Sequence, residues 1–550
     1  MENPALSYAK GPQPSPLLVE TIGANLARAV AEHGDRQALV SRHQGVRLTY
    51  AELDAEVDRT ARALIAAGLD CGDRLGLWSP NRAEWALVQY ATARLGVILV
   101  NVNPAYRAHE LAYALRQSGC RMLVAAKEFK TSDYVAMVGE VREELDDLER
   151  VVHLDDPSWD ELVAGADGVE TGEVAERAGV LEPGDPINIQ YTSGTTGFPK
   201  GATLSHVNIL NNGFFTGEGC RITADDSICV PVPYYHCFGM VMGNLAAISH
   251  GASVVLPAEA FEPVAVLDAV SEERCTTLYG VPTMFIAELD ELDRDPDRWD
   301  LSSLRTGIMA GSPCPVETMR AVIDRMNMAE VTICYGMTET SPVSAQTGYD
   351  DELELRVSTV GTVHPHVEVR VADPETGELL ERGETGEFQT RGYSVMLGYW
   401  EDPARTAEAI DAEGWMHTGD QATMDDSDYL KIVGRIKDMV IRGGENVYPR
   451  EVEEFLLGHA EVLDVQVVGV PDERFGEELC AWVRCREDAG CDPEDLREYC
   501  RGRIAHYKVP RYVRFVDEFP MTVTGKVQKF KLREQAVAEL GLAEPERSAA

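Results

Sequence analysis

Apolar positions in the first 125 residues follow two spacings that alternate along the chain. Thr49 and Glu52 form a capping-box pattern ahead of apolar residues at helical spacing, which predicts a helix that stops at Gly68. Asn81 is predicted to cap a second helix that ends near Gly96. Short continuous apolar runs, typical of buried strands, occupy residues 75–78, 97–102 and 122–125. The alternation of strand and helix predicts an α/β fold with a largely parallel sheet.

The pattern changes twice in the second half of the chain. Short apolar runs, each ending in polar or small residues, recur at 228–233, 252–256, 276–279, 307–309 and 331–335. From Val360 onward, short alternating strands separated by turn sequences predict a small β subdomain. The chain past Lys437 has the size of a small independent domain. We place the boundary between Ile436 and Lys437, which gives an N-terminal domain of residues 1–436 and a C-terminal domain of residues 437–550.

Composition and charge narrow the functional classes. The 550 residues include 50 Lys and Arg against 92 Asp and Glu, so the formal net charge is −42. This balance argues against a general nucleic-acid-binding surface, which needs a basic footprint. An anionic substrate must then be held by a local cluster of lysines, arginines and backbone amides, together with a metal ion.

The cysteines and the apolar runs indicate the compartment. The twelve cysteines are scattered without a Cys-x-x-Cys pair or a histidine spacing typical of zinc, which favours a reducing cytosol. The N-terminal sequence lacks the patterns of a secretory signal or a transit peptide. No apolar run approaches the roughly 20 residues that span a bilayer. We therefore predict a cytoplasmic protein without a transmembrane segment, and the sequence does not indicate its oligomeric state.

The stretch with the most unusual composition follows a predicted strand at 187–191. Residues 192–201 contain three glycines, four hydroxyl side chains and one lysine. This composition can bring backbone amides and hydroxyls around phosphate oxygens. It is not a Walker A loop, because the required Gly-Lys-Ser/Thr ending is absent. A flexible surface turn is the alternative on composition alone.

The sequence of residues 191–201 resembles the signature loop of the adenylate-forming enzymes. This superfamily includes acyl-CoA synthetases, non-ribosomal peptide adenylation domains and beetle luciferases. The resemblance implies that the loop grips the β- and γ-phosphates of ATP while a substrate carboxylate attacks the α-phosphate. The implied ATP contacts are Thr192, Ser193, Gly194, Thr196, Gly197 and Lys200, and Thr195 of the same loop is a candidate catalytic residue.

Further family motifs follow in the expected order. Residues 310–313 end a strand and open a helix, and residues 335–340 follow another strand. The resemblance implies a nucleotide site formed by Gly311, Ser312, Tyr335, Gly336, Thr338, Asp420 and Arg435. Asp420 would bond the ribose hydroxyls, with Arg435 as a second ribose or phosphate contact. Glu339 is a hard oxygen ligand suited to Mg²⁺ and a candidate catalytic residue. The alternatives are a simple strand-to-helix turn at 310–313, a polar loop at 335–340 and a salt-bridged surface pair for Asp420 and Arg435.

An aromatic stretch beginning at Pro233 matches the acyl pocket of the superfamily. The implied pocket residues are Tyr235, His236, Phe238, Gly239 and Met240. Amino-acid-activating relatives carry an aspartate in this region, and none is present from Tyr234 to Gly243, so an amino acid substrate is disfavoured. Core aromatics at a strand end are the alternative interpretation.

The last motifs lie beyond the predicted boundary. In acyl-CoA synthetases the loop that matches Arg442, Gly443, Gly444 and Glu445 borders the coenzyme A tunnel. Lys526 matches the catalytic lysine that bridges the carboxylate and the α-phosphate, offsetting negative charge where two anions meet. Lys437 stands at the hinge position, where many relatives have aspartate.

The resemblance extends over nearly the whole chain. Within the superfamily, the sequence looks most similar to the medium-chain acyl-CoA synthetases. It implies an α/β protein with a large N-terminal domain of stacked sheets plus a small β subdomain, followed by a small mobile α+β C-terminal domain. The implied reaction uses ATP, Mg²⁺ and coenzyme A to convert a carboxylic acid into its thioester, and the resemblance implies an acid of medium chain length. The alternatives are a fatty acyl-AMP ligase that delivers to a carrier protein, and a non-catalytic acyl-nucleotide-binding protein.

Overall fold

The fold is a mixed α/β architecture that divides into two compact units. The computed structural model describes residues 5–192, 199–311, 314–443, 445–472, 474–486, 490, 492–501, 503–522 and 527–542. The large unit contains residues 9–369 and 390–417, and the small unit contains residues 1–8, 370–389 and 418–550. The α/β class is thereby confirmed, and the boundary between Ile436 and Lys437 stays a prediction.

Two sheets form the centre of the large unit. The first sheet runs, in order across its strands, Gly398–Tyr399, Lys200–Ser205, Pro186–Thr192, Ile98–Asn101, Arg74–Trp78, Met122–Ala125 and Arg150–His153. The second sheet runs Thr362–Val363, Val343–Gln346, Glu330–Gly336, Thr306–Ala310, Thr277–Gly280, Ser227–Cys229, Ser253–Leu256, Gln37–Ser41 and Val46–Thr49. Most neighbouring strands in the middle of both sheets are parallel, as the strand-helix alternation predicts.

Helices cover these sheets and bury their apolar faces. Those of the large unit are Ile22–His33, Tyr50–Ala66, Ala83–Leu95, Ala108–Ser118, Tyr134–Val141, Pro157–Ala164, Thr171–Ala178, His206–Gly219, Ala246–Ser249, Pro263–Glu273, Pro282–Arg294, Val316–Arg325, Leu353–Ser358 and Pro403–Ala409. One buried cluster joins residues of both sheets to the helices between them, including Val57, Tyr90, Leu99, Val254 and Ile308. This shared core fixes the strand ends that carry the candidate site.

The small unit has its own sheet and core. Its sheet contains Glu445–Val447, Val440–Arg442, Gly476–Cys485, Val462–Asp472 and Tyr512–Phe515, and its helices are Pro449–Leu457, Pro493–Cys500 and Lys529–Leu540.

The β subdomain predicted from Val360 corresponds to a further sheet with the strands Tyr8–Lys10, Val367–Ala372, Gly386–Gly392, Met416–Met424 and Leu430–Arg435. A two-stranded pair, Glu128–Phe129 and Ser132–Asp133, completes the sheets of the described chain.

The predicted helix starts differ in accuracy. The capping box of Thr49 and Glu52 is present at the start of Tyr50–Ala66. The prediction that Asn81 caps the next helix is wrong, because Arg82 occupies the N-cap of Ala83–Leu95. The Asn81 side chain instead donates to the Val232 carbonyl and accepts from the Tyr234 amide.

Candidate active site

The glycine- and threonine-rich loop connects two paired strands. Pro186–Thr192 and Lys200–Ser205 are antiparallel, and Thr192 lies opposite Lys200. On its other edge the first of these strands pairs in parallel with Ile98–Asn101. Both ends of the loop are therefore anchored in the first sheet. The predicted ATP contacts Ser193, Gly194, Thr196 and Gly197 and the candidate catalytic residue Thr195 lie outside the described residues.

The Glu339 carboxylate lies next to the first end of this loop. Thr192 donates a hydrogen bond from Oγ1 to Glu339 Oε1 at 3.1 Å, and the Tyr399 hydroxyl donates to the same oxygen at 2.9 Å. Glu339 is only 5% exposed. No cation of the described chain forms an ion pair with this carboxylate. A buried carboxylate with one oxygen occupied by neutral donors can accept a metal ion on its other oxygen.

Tyr399 also lies beside the second end of the loop. The Lys200 ammonium is 4.9 Å from the centre of the Tyr399 ring, within the range of a cation–π interaction. Burial, and next the neighbouring Glu339 carboxylate, raises the pKa of the Tyr399 phenol above its ordinary value. The phenol is therefore protonated and remains a hydrogen-bond donor. Tyr399 thus links Lys200 to Glu339.

The predicted adenine-side residues follow adjacent parallel strands of the second sheet. Gly311 follows Thr306–Ala310, and Tyr335 lies near the end of Glu330–Gly336. Thr338 begins the short 3-10 turn that also holds Glu339. The structure brings these residues to one edge of the sheet, whereas Ser312 lies outside the described residues.

Gly336 is required by the fold itself. A Cβ atom at this position would lie 1.7 Å from the Pro342 carbonyl oxygen. The family resemblance implies that Gly336 contributes to the nucleotide site. The structure adds a closer neighbour in the backbone of the protein, so glycine is needed at this position with or without nucleotide.

The predicted acyl-pocket segment contains a π-helix, Phe238–Leu245. The Phe238 ring stacks on Tyr279 with the ring centres 6.0 Å apart, and the Phe238 amide donates to His236 Nδ1 at 3.1 Å. A Cβ atom on Gly239 would lie 2.4 Å from the Pro233 carbonyl oxygen, so glycine allows this tight turn. π-Helical turns are rare and frequently mark functional sites.

Buried amides hold this segment against the first sheet. Asn101 Nδ2 donates to the Tyr235 carbonyl at 2.8 Å and contacts Met240 Sδ at 3.1 Å. Gln190 Nε2 lies 3.3 Å from the same sulfur and 2.9 Å from Asn188 Oδ1. Asn188 Nδ2 in turn donates to Asn101 Oδ1 at 2.9 Å. Because buried amides must be paired, this network fixes where the segment sits on the sheet.

The predicted ribose contacts of the small unit bind each other. Asp420 and Arg435 are opposite in the register of Met416–Met424 and Leu430–Arg435, and Arg435 Nε lies 3.0 Å from Asp420 Oδ1. The carboxylate is largely buried and the guanidinium is half exposed. The pair matches the salt-bridge alternative, and its contact with a ribose stays a prediction.

The predicted coenzyme A-side loop is held by a buried ion pair. Arg442 donates to Glu478 through Nε and Nη2, both at 2.7 Å, and Glu478 is 1% exposed. The Arg442 guanidinium lies 4.5 Å from the Phe475 ring centre. Gly443 has φ +60° and donates its amide to the Phe475 carbonyl at 2.8 Å. Positive φ favours glycine, so these contacts explain the residue at this turn.

The remaining predicted residues of the small unit differ in how they are placed. Glu445 lies opposite Arg442 in the hairpin of Val440–Arg442 and Glu445–Val447 and is exposed. Lys437 lies in a 3-10 turn, Ile436–Asp438. Gly444 and Lys526 lie outside the described residues.

Sequence reasoning missed the residues that orient the candidate site. Tyr399, Asn101 and Glu478 act on predicted site residues from distant positions in the chain. Polar side chains inside the strand 187–191 gave a partial signal, because they interrupt an otherwise apolar buried strand. Nothing local marked Tyr399 or Glu478 as partners of Glu339 and Arg442.

The stability of the large unit should fall as the pH drops below about 6.5. Burial lowers the pKa of His206 to about 4. Its Nδ1 accepts from the Ile22 amide at 3.2 Å, which keeps the folded ring neutral. The unfolded chain gains a proton first, so stability is lost between about pH 6.5 and pH 4, by on the order of 3 kcal/mol.

Denaturant unfolding at several pH values measures this dependence. His206→Gln keeps an acceptor near the Ile22 amide and removes the titrating group, so the loss of stability on acidification should be smaller than in the wild type. Burial also lowers the pKa of His364, to about 3. This histidine therefore contributes a similar pH dependence of stability to the variant and to the wild type. An identical pH slope in the variant would contradict the assignment to His206.

Among the described residues, no group of three or more His, Cys, Asp or Glu side chains is arranged to hold a metal ion. In the same part of the chain, no helix is both long and apolar enough to cross a membrane. Cys485 is disulfide-bonded, whereas none of the other described cysteines forms a disulfide. The reducing cytosol therefore stays a prediction.

Comparison with known families agrees with the geometry. Residues 26–400 match the AMP-binding enzyme family, and residues 451–526 match the AMP-binding enzyme C-terminal domain. The chain is 46% identical over 545 residues to the putative acyl-CoA synthetase YngI of Bacillus subtilis, covering 96% of this chain and 99% of that protein. It is 43% identical over 560 residues to the human mitochondrial medium-chain acyl-CoA ligase ACSF2, covering 98% of this chain and 91% of that protein.

Solved structures resemble the whole fold. ATP-bound MatB from Rhodopseudomonas palustris superimposes with a TM-score of 0.81 at 30% identity, covering 94% of this chain and 99% of that one. The anthranilate CoA ligase AuaEII in complex with anthranoyl-AMP gives a TM-score of 0.85 at 26% identity, covering 96% and 99%. These neighbours confirm a large N-terminal and a small C-terminal part. The chain therefore belongs to the AMP-binding enzymes, within the adenylate-forming acyl-CoA synthetase family.

Proposed function

We propose that this protein is an ATP-dependent acyl-CoA synthetase that works in two half-reactions. A carboxylate oxygen attacks the α-phosphorus of ATP, forming acyl-AMP and releasing pyrophosphate. The coenzyme A sulfur then attacks the acyl carbon and displaces AMP. The observation that carries the proposal is the Glu339 carboxylate, which Thr192 and Tyr399 hold at the base of the glycine-rich loop.

We propose that the Glu339 carboxylate binds Mg²⁺. Mg²⁺ in such sites is usually held by one or two carboxylates together with substrate phosphates and waters. Glu339 supplies one buried carboxylate with neutral donors on Oε1, and Lys200 supplies a cation for phosphate oxygens at the other end of the loop. When bound, the metal would neutralise phosphate charge, and the protein groups would orient ATP.

The roles of the small unit are likewise proposed from the family. Lys526 would bridge the carboxylate and the α-phosphate, and Asp420 with Arg435 would contact the ribose. The turn at Gly443 would border coenzyme A, and Lys437 would act as the hinge between the two half-reactions. We also propose that the protein is cytoplasmic, although the ACSF2 relatives are named as mitochondrial.

The decisive experiment measures the two half-reactions separately. Pyrophosphate release with a panel of carboxylic acids reports adenylation, and thioester formation after addition of coenzyme A reports transfer. We expect both with aliphatic acids. Pyrophosphate release without thioester formation would indicate transfer to another acceptor such as a carrier protein. Absence of both, with ATP still bound, would indicate a non-catalytic binding protein and contradict the proposal.

We propose medium-chain acids as substrates, with the segment containing Tyr235, Phe238 and Met240 as the pocket. Each buried methylene contributes about 0.8 kcal/mol, or about fourfold in kcat/KM. Specificity should therefore climb with chain length and fall where the pocket ends. The medium-chain name of the ACSF2 relatives supports an optimum in that range.

A shortened side chain at Met240 tests the pocket. Met240→Ala should shift the optimum towards longer acids, because space opens behind the segment. Met319→Ala removes an equally buried methionine from the helix Val316–Arg325 and should leave the optimum unchanged. The measurement is kcat/KM for a series of straight-chain acids. A preference for aromatic acids over all aliphatic acids would contradict the pocket assignment.

A further inference from the structure

Both described hydrogen bonds to the Glu339 side chain fall on the same oxygen. Thr192 Oγ1 and the Tyr399 hydroxyl donate to Oε1 at 3.1 and 2.9 Å. Within the described chain, Oε2 receives no hydrogen bond and no ion pair. Two donors on one oxygen fix the rotation of the carboxyl plane, and they leave the second oxygen available to a ligand that prefers anionic oxygen.

The backbone brings these donors from separate elements. Thr192 ends one strand of the first sheet, and Tyr399 lies on its edge strand, paired with Ala202. The turn that carries Glu339 is held by the Met396 amide, which donates to the Glu339 carbonyl at 2.9 Å. Because Met396 and Tyr399 lie three residues apart, one short segment holds both the backbone and the carboxylate of Glu339.

The Tyr399 side chain has two separable parts. Its hydroxyl contacts Glu339, whereas its ring lies under the Lys200 ammonium at 4.9 Å. Replacement by phenylalanine would remove the first contact and keep the second, since a phenyl ring also attracts a cation. The hydroxyl function can therefore be tested without moving Lys200.

We propose that Tyr399 is a positioning residue whose hydroxyl holds the Glu339 carboxylate so that Oε2 is presented to the divalent cation of bound ATP. The inference rests on the proposed use of metal-bound ATP. Groups that hydrogen-bond a ligating carboxylate orient it, and their loss typically weakens metal affinity by 10- to 100-fold. If the Tyr399 hydroxyl were only a buried donor that needs a partner, its removal would change the stability of the protein without a specific effect on metal binding.

The test measures metal binding without turnover. Mn²⁺ is titrated into the full-length protein with saturating ATP and no carboxylic acid, and bound Mn²⁺ is followed by electron paramagnetic resonance. We expect Tyr399→Phe to weaken Mn²⁺ affinity by about 10- to 100-fold. Thr192→Val should act in the same direction, and Thr192→Ser, which keeps the hydroxyl, should restore most of the affinity.

Tyr393→Phe is the matched control. It removes a hydroxyl six residues before Tyr399 in the chain, and that hydroxyl lies 3.5 Å from His364 Nδ1. We expect wild-type Mn²⁺ affinity in this variant. Equal affinities in Tyr399→Phe and the wild type would overturn the inference alone. A wild-type protein that binds no metal-bound ATP would overturn the proposed function and this inference with it.

A kinetic readout separates positioning from general damage. In Tyr399→Phe the Mg²⁺ concentration for half-maximal adenylation should rise, while thioester formation from supplied acyl-AMP and coenzyme A should stay within about twofold of wild type. A structural defect would lower both half-reactions and the thermal stability together. Equal losses in both half-reactions would therefore contradict the positioning role.

Discussion

Replacing Lys526 by alanine should lower acyl-adenylate formation by about 10²- to 10³-fold, the cost of losing one group that stabilises developing charge. In the proposed reaction two anions, the carboxylate and the α-phosphate, must meet, and a lysine ammonium bridging them offsets their repulsion. The second half-reaction has no such meeting of anions. Thioester formation from supplied acyl-AMP should therefore be retained.

The measurement is a single-turnover rate for each half-reaction. Lys531→Ala is the matched control, because Lys531 is an exposed lysine in the helix Lys529–Leu540, five residues further along the chain. It should leave both rates unchanged. Lys526→Arg should also be slow in adenylation, because a planar guanidinium does not replace a compact ammonium. Equal loss of both half-reactions in Lys526→Ala would reject the role.

Local sequence patterns correctly predicted the elements that are stabilised mainly by interactions between residues close together in the chain. The strand Met122–Ala125 and the capping box of Thr49 and Glu52 occur as predicted. In both cases the deciding interactions lie within a few residues of each other, or follow from burial of a continuous apolar run. The site motifs at Thr192, Glu339 and Lys200 also converge, because each lies at the end of a strand or in the turn that follows one.

The sequence predictions failed where contacts between residues far apart in the chain determine the structure. Asn81 looked like a helix cap, yet its amide side chain bonds residues about 150 positions away, at Val232 and Tyr234. The strand predicted at 187–191 alternates apolar and polar residues, a pattern typical of a strand with one side facing solvent. Both sides are buried, because Asn188 and Gln190 pair with other amides. A single sequence does not reveal such partners.

The π-helix Phe238–Leu245 illustrates the same limit. Its eight residues are buried and mostly apolar, which is equally compatible with an ordinary helix. Its position depends on Asn101 and Gln190, whose side chains reach Met240 from the first sheet. The position of this segment therefore depends on residues that the family motifs do not include.

Replacing Arg442 by leucine should destabilise the small unit by about 3 kcal/mol, because the substitution leaves the buried Glu478 carboxylate without its main partner. This value is at the low end for a broken buried pair, because Arg511 Nη1 lies 3.9 Å from Glu478 and compensates in part. The double replacement Arg442→Leu with Glu478→Leu should recover most of the loss, since it removes both charges together.

Hydrogen exchange in the strand Gly476–Cys485 measures this stability inside the full-length protein. Arg450→Leu is the matched control, because it breaks a more exposed pair with Glu454 in the same unit and should cost less than about 0.5 kcal/mol. Additive losses in the double replacement, rather than recovery, would show that the pair is not coupled.

The same double replacement separates two functions of the Arg442 guanidinium. Its Nε and Nη2 donate to Glu478, and its face lies on Phe475, whose carbonyl accepts from the Gly443 amide. If the loop borders coenzyme A as proposed, we expect the guanidinium to act there by holding the turn rather than by direct contact. Thioester formation should fall in Arg442→Leu and recover in the double replacement together with exchange protection. If protection returns while the KM for coenzyme A stays high, the charge of Arg442 contacts coenzyme A directly.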